Sequence, residues 1–332
     1  MSGGNSQFTD EGRIDVKLLG GLQVRLEGTV LGPKDLGGCK PRQVLEILVL
    51  NRGTPVSKDR LIDLIWGDAA PPEALPTLES YISILRRRIQ PGRSKTGPLR
   101  TVTSGYVMQR ELLDLDLDRF DELIERSQQA GTAQAYPLLL QALAIASEPL
   151  LANEPTASWA EMERQSQAAR VGWALTAAAR AATELGKTDE GVQLARKALA
   201  SDRLDEGAWC ALLTALQTAG RHAEALHSYE QCRQMFIDEL GCTPGPALQQ
   251  LHRELLQGAA DSDGGLSDLL SALLCLHAHT APAVATTPPA PVAPVHTPEA
   301  AMESIQPLRD ASRLLSNLLK QAQTVLQTQL QA

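Results

Sequence analysis

The sequence predicts a mainly α protein: an N-terminal winged helix-turn-helix of α+β type, followed by an all-α domain of tetratricopeptide-like helical repeats. Three observations carry that expectation. Residues 38–110 pass in order through an amphipathic helix, a short turn, a second helix ending in an aromatic, and a proline-punctuated loop, then a third helix with three consecutive arginines and a short hairpin. Residues 169–202 and 203–236 align as two segments of equal length without a gap. At 332 residues the chain also has room for two domains of ordinary size and an appendage.

Each element of the first segment has a local cause. Val44, Leu45, Ile47, Leu48 and Leu50 put an apolar stripe on a helix that opens near Pro41, a good first-turn residue. Gly53 and Pro55 break it. Ser57 is placed to N-cap the next helix, whose buried face is Leu61, Ile62, Leu64, Ile65 and Trp66, and Gly67 ends it. Beyond the loop 68–72, a third helix is expected over roughly residues 73–89. Leu75, Leu78, Ile82, Leu85 and Ile89 would face its core, with Thr77, Glu79, Ser80, Ser83, Arg86 and Arg87 outward. A Pro91-Gly92-Arg93 turn then leads into LRTVTSGYVMQ. There Thr101, Thr103 and Val107 suit strands, and Ser104-Gly105 can make the tight turn of a wing.

This order of parts sends one helix into a DNA major groove and lays a wing on the adjoining backbone. The competing reading of Arg86-Arg87-Arg88 is a solvated helix end, where cations complement the C-terminal dipole. Charge segregation favours DNA. Residues 1–110 hold 16 Lys and Arg against 11 Asp and Glu, while the remainder holds 15 against 28. A basic first third on a chain of net charge −8 is what one phosphate-binding domain on an acidic protein produces.

From about Leu117 onward the chain is alanine- and leucine-rich and helical in period. In the repeated pair, Gly186 aligns with Gly220 and Glu190 with Glu224. Such a period belongs to stacked helix pairs, neither of which buries its face alone, with flanking helices near 120–146 and 246–256 as caps. The repeats can serve as a dimerisation and stability module, or as a concave surface for polymerase or an effector. The domain boundaries expected are 1–111 for the winged helix, 112–257 for the helical repeats, 258–304 for a Pro/Ala/Thr-rich linker and 305–332 for an amphipathic helix. That last helix would either pack back on its own domain or oligomerise.

The runs KPRQVLEILVLNRGTPVSKDRLIDLIWGD, LESYISILRRRI and TVTSGYVM resemble the OmpR-type winged helix of the Streptomyces antibiotic regulatory protein family. LDLDRFDELI, EPLLANEP, SWAEMER and GRHAEALHSYEQCRQMFIDELGCTPGPALQQLHREL resemble that family's bacterial transcriptional activation domain. The resemblance implies an activator of clustered biosynthetic genes. It would bind double-stranded promoter DNA at direct repeats as a dimer or higher oligomer and hold RNA polymerase there through sigma factor and core subunits. Carried onto this sequence, the base-facing positions are Thr77, Glu79, Ser80, Ser83 and Ile84. Backbone and wing contacts fall on Lys40, Arg42, Lys58, Arg86, Arg87, Arg100, Thr101, Thr103, Ser104 and Tyr106. Ile84 departs from the arginine common there in relatives; it can touch a thymine methyl but cannot pair with guanine.

Other function classes find no support in the residues. No G-x-x-x-x-G-K-[ST], G-x-S-x-G or G-x-G-x-x-G is present, so no enzyme, catalytic residue or cofactor is expected. The five cysteines (39, 210, 232, 242 and 275) form no C-x-x-C pair and the six histidines no metal spacing, so no metal site is expected and the thiols should be reduced. No run is long and apolar enough for a membrane span, and residues 1–12 lack a signal-peptide core, which together predict no membrane partner and a cytoplasmic protein. Two alternatives remain at this level: a repressor using the same DNA contacts, and a helical-repeat interaction protein whose winged helix serves protein contacts.

Overall fold

A computed structural model describes residues 13–92 and 97–262. Arg93 of the expected turn, positions 263–304 of the expected 258–304 linker with its apolar run 269–277, Cys275 and the expected 305–332 helix lie outside the described residues, while positions 258–262 continue a helix. The chain divides into two compact units between Ala215 and Leu216.

The first unit begins with a meander of β1 (Ile14–Lys17), β2 (Gln23–Leu26) and β3 (Thr29–Leu31). Ile14 and Val16 are buried while Asp15 and Lys17 are partly exposed, the alternation of a half-buried strand. Glu27 and Gly28 both take positive φ, 48° and 84°, the two-residue turn that matches strand twist. A fourth strand, β7 (Leu113–Leu115), arrives from far along the chain and pairs parallel to β1, giving the order β3-β2-β1-β7. The sequence reading assigned none of these four strands.

The winged helix follows as α1 (Cys39–Leu50), β4 (Val56–Ser57), α2 (Lys58–Trp66), α3 (Ala74–Ile89), β5 (Leu99–Val102) and β6 (Gly105–Met108). The last two strands and β4 form an antiparallel sheet in the order β4-β6-β5. Two details differ from expectation. Leu75 is exposed at 44%, because Ala74 and Leu78 already fill the inner side of that first turn. The hairpin turns at Thr103-Ser104, leaving Gly105 inside β6, where its close approach to the Val56 backbone has no room for a side chain.

Helices α4 (Asp116–Gln129), α5 (Thr132–Ile145), α6 (Glu161–Glu184), α7 (Thr188–Ser201) and α8 (Glu206–Thr218) come next. The single helix expected over 120–146 is two, parted where Ala130 leaves the helix and Gly131 opens the next. The first repeat's leading helix starts at Glu161, before the repeat does. Gly186 and Gly220, aligned in the sequence, both sit at helix-to-helix turns with φ of 76° and 71°. The second unit contains α9 (His222–Leu240) and α10 (Pro246–Ser262), held together by a Tyr229–His252 ring stack at 4.0 Å. Burial in that stack pushes the His252 imidazole below its ordinary pKa.

One hydrophobic core serves both sequence segments of the first unit. Ile14, Leu18, Leu45, Leu48, Leu61, Leu78 and Leu85 share it with Phe120, Ala142, Leu151 and Ala160, so the packing has no seam at 111/112. Asp116 at the start of α4 fastens the join: its carboxylate accepts the N–H groups of Leu18 at 2.9 Å and Leu19 at 2.7 Å. Burial nevertheless raises its pKa, outweighing those bonds.

Candidate nucleic-acid interface

The interface is built from α2, α3 and the β5–β6 wing. Ser57 caps α2 by accepting the Arg60 N–H at 3.1 Å, and Gly67 ends it with φ 53°, both at the positions the sequence marked. Trp66 stacks on Tyr81 at 6.0 Å and sets α2 against α3. With Leu78, Ile82, Leu85 and Ile89 buried, the opposite face of α3 is displayed.

That face and the wing enclose a cleft of about 700 Å³ lined by Lys58, Glu79, Ser83, Arg86, Arg87, Thr101 and Tyr106 among others. Lys58 donates from Nζ to Glu79 Oε1 at 2.7 Å and stands 5.8 Å from the Tyr106 ring centroid. The carboxylate holds the Lys58 ammonium above its usual pKa, and burial pushes the Tyr106 phenol up. Arg86 donates from Nε to the Leu99 carbonyl at 3.3 Å and from Nη2 to Thr101 Oγ1 at 2.7 Å. The next turn adds Gln90, buried, whose Oε1 accepts the Leu99 N–H at 2.9 Å. Through these two residues α3 grips β5 and fixes the angle of the wing. Sequence reasoning missed Gln90, since its partner lies in a separate element and no local pattern marks it.

The structure sorts the expected contact residues into three groups. Glu79, Ser83, Arg86, Arg87, Lys58, Thr101 and Tyr106 gather around the cleft, although Tyr106 is only 4% exposed and lies beneath Lys58. Arg100, Thr103 and Ser104 are exposed on β5 and the hairpin tip, and Ser104 offers its carbonyl to the Lys58 N–H at 3.1 Å. Arg87 and Arg100 make no hydrogen bond or ion pair among the described residues.

The third group points elsewhere. Ile84 is half-buried against the loop before α1: a Cβ at Gly37 would meet its Cγ2 at 2.5 Å. Thr77, half-buried, and Ser80, exposed beside Arg87, bond back to the carbonyls of Glu73 and Pro76. Lys40 donates to the Ile65 carbonyl at 2.7 Å and so caps the end of α2. Arg42 forms ion pairs with Glu154 and with Glu46 at 3.6 Å, its side chain 15% exposed. Lys40 and Arg42 thus have internal acceptors in this structure. Ile84 is packed toward Gly37 rather than fully displayed.

Among the described residues, no group of three or more His, Cys, Asp or Glu side chains could hold a metal ion, and no helix is long and apolar enough to cross a membrane.

Comparison with known proteins adds to this geometry. Residues 38–108 match the family described as transcriptional regulatory protein, C terminal, and residues 115–256 match the bacterial transcriptional activator domain. The regulatory protein DnrI of Streptomyces peucetius is 29% identical over 255 residues, covering 74% of this chain and 92% of that protein. The regulatory protein AfsR of Streptomyces coelicolor is 32% identical over 273 residues, 79% of this chain but 26% of that protein, so the chain spans about a quarter of that relative. The transcriptional regulatory protein EmbR of Mycobacterium tuberculosis is 30% identical over 256 residues, 75% of this chain and 65% of that one. A solved structure of Mycobacterium tuberculosis EmbR in complex with a low affinity phosphopeptide superposes with a TM-score of 0.69 at 28% identity, covering 80% of this chain and 72% of that chain.

Proposed function

The chain belongs to the Streptomyces antibiotic regulatory protein family of OmpR-type activators, and on that premise we propose that it binds direct repeats at promoters of a biosynthetic gene cluster and recruits RNA polymerase there. The observation that supports its DNA-binding part is the cleft between α3 and the wing. It collects hydrogen-bonding side chains at its floor and the exposed Arg87 at its rim. In the bound state α3 enters the major groove with Glu79 and Ser83 toward base edges. Arg87, Arg100, Thr103 and Ser104 contact phosphates on either side. Arg86 and Gln90 stay bonded to β5 and keep helix and wing in one register on the duplex.

Two or more protomers would occupy successive grooves, with the 112–257 region pairing them and meeting the polymerase. The shared core gives this arrangement a mechanical basis. Because Phe120 and Leu151 pack with Leu45 and Leu48, the first activation-domain helices are carried rigidly by the DNA-binding segment.

A salt titration on promoter fragments tests the reading. Binding through about 6–10 phosphates should weaken roughly 10³–10⁵-fold between about 50 and 200 mM salt. Failure of a genomic-fragment selection to recover any DNA, or binding indifferent to salt, rules it out.

A further inference from the structure

A carboxylate on a DNA-facing helix needs an explanation, since the phosphate field repels it. Glu79 is such a group: it is in the cleft, its side chain is 52% exposed, and it is one helical turn from Ser83 and two from Arg87. Its charge is met by Lys58 at 2.7 Å. That lysine is itself positioned by two other elements. Its ammonium stands over Tyr106 of β6, and its backbone N–H is bonded to Ser104 at the wing tip. The pair is therefore neutral and held from α2, α3 and the wing together, so a carboxylate can be carried into the groove at low electrostatic cost.

Lys58 occupies Oε1 of Glu79, and Oε2 has no partner among the described residues. An ionised carboxylate only accepts hydrogen bonds. In the major groove two base groups donate, cytosine N4 and adenine N6, but adenine sets the N7 acceptor beside its donor, which repels a carboxylate. The neighbouring Arg86 is turned toward β5, to which it gives two hydrogen bonds.

We propose that Glu79, neutralised and oriented by Lys58, is a specificity-determining residue that selects a cytosine in each half-site. This rests on the DNA-binding reading above.

The test is a selection from randomised double-stranded oligonucleotides with the full chain and with Glu79→Gln and Glu79→Ala, followed by competition between single-base variants of the recovered site. The wild-type protein should enrich a C·G pair at one position. Glu79→Gln should move that position to A·T, since glutamine can both donate to N7 and accept from N6. Glu79→Ala should erase roughly 5- to 150-fold of discrimination there and leave the other positions unchanged. A pair that merely stapled α2 to α3 would change affinity for every sequence alike and move no position. The inference is overturned if both variants keep the wild-type preference throughout while binding stays salt-dependent. If the wild-type chain itself enriches no sequence, the DNA-binding reading fails first.

Discussion

Arg42 in α1 and Arg87 in α3 are both helical arginines of the basic N-terminal segment, and they meet opposite environments. Arg42 lies inside a polar cluster. It pairs with Glu46 and Glu154; Gln43 donates to Glu154 at 2.8 Å; Asn153 donates to Glu46 at 3.3 Å and accepts the Leu22 N–H at 3.0 Å. Arg164 closes the cluster by donating to the Glu154 carbonyl. Arg87 is exposed on the cleft rim. The difference teaches that the positive balance of residues 1–110 overstates the DNA face. Arg52 is spent on Asp118 and Asp121, and Arg110 on Asp118, so the acidic remainder supplies the partners of several N-terminal cations.

The sharpest way to break this contrast is Glu154→Ala. It leaves the Arg42 guanidinium with Glu46 at 3.6 Å as its remaining carboxylate in a poorly hydrated site, and removing one partner of a buried pair costs up to about 3–5 kcal/mol. Urea unfolding should show that loss while the residual folded fraction keeps its base preference. Unchanged stability with a flattened salt slope would instead place Arg42 among the phosphate contacts.

A second prediction uses pH. Burial raises the Glu46 pKa from 4.5 to about 7, against the opposing bond from Asn153 and the charges of Arg42 and Arg164. Between those two values the folded state keeps a proton that the unfolded state has lost. Stability therefore falls as pH rises through that window and is level above it. The fall should amount to about 1–3 kcal/mol, and Glu46→Gln should abolish it. An identical pH profile for the variant would mean that Glu46 is ionised throughout in the folded chain.

The same contrast explains what the sequence could disclose. Ser57 and Gly67 were legible because cap chemistry acts within three or four residues. The buried stripe of α3 was legible because its period is 3.6. The N-terminal sheet was not: its strands are three or four residues long, and β1 finds β7 nearly a hundred residues away. The fates of Arg42 and Ile84 were hidden for a like reason. Glu154 lies 112 positions beyond Arg42, and Gly37, which receives Ile84, belongs to a loop that helix periodicity does not address. Local rules found α3 and the β5–β6 hairpin, and long-range packing decided which of their charges remain available.

Arg86→Ala separates holding the wing from touching DNA. It removes two bonds from a charged donor to β5, a loss of about 1–3 kcal/mol in stability. Freed from α3, the wing should also bind less tightly on every sequence, and Arg86→Lys should restore little because an ammonium cannot span both acceptors. An affinity loss with unchanged thermal stability would make Arg86 a direct phosphate contact.

Arg87→Ala carries the smallest structural effect and the cleanest functional one. Its side chain is exposed and unpaired among the described residues, so thermal stability should stay within about 0.5 kcal/mol of the wild type. Binding should weaken on specific and non-specific DNA alike, and the slope of log affinity against log salt should fall by about one. Those two outcomes need each other. A contact that reads a base would change the ranking of sequences, whereas one that only neutralises phosphate changes the slope and leaves the ranking intact. Measured beside Glu79→Ala, which should change the ranking and leave the slope nearly intact, Arg87→Ala divides α3 into a stripe that selects and a rim that holds. Equal effects of the two substitutions on both quantities would mean that α3 does not present this face to the groove.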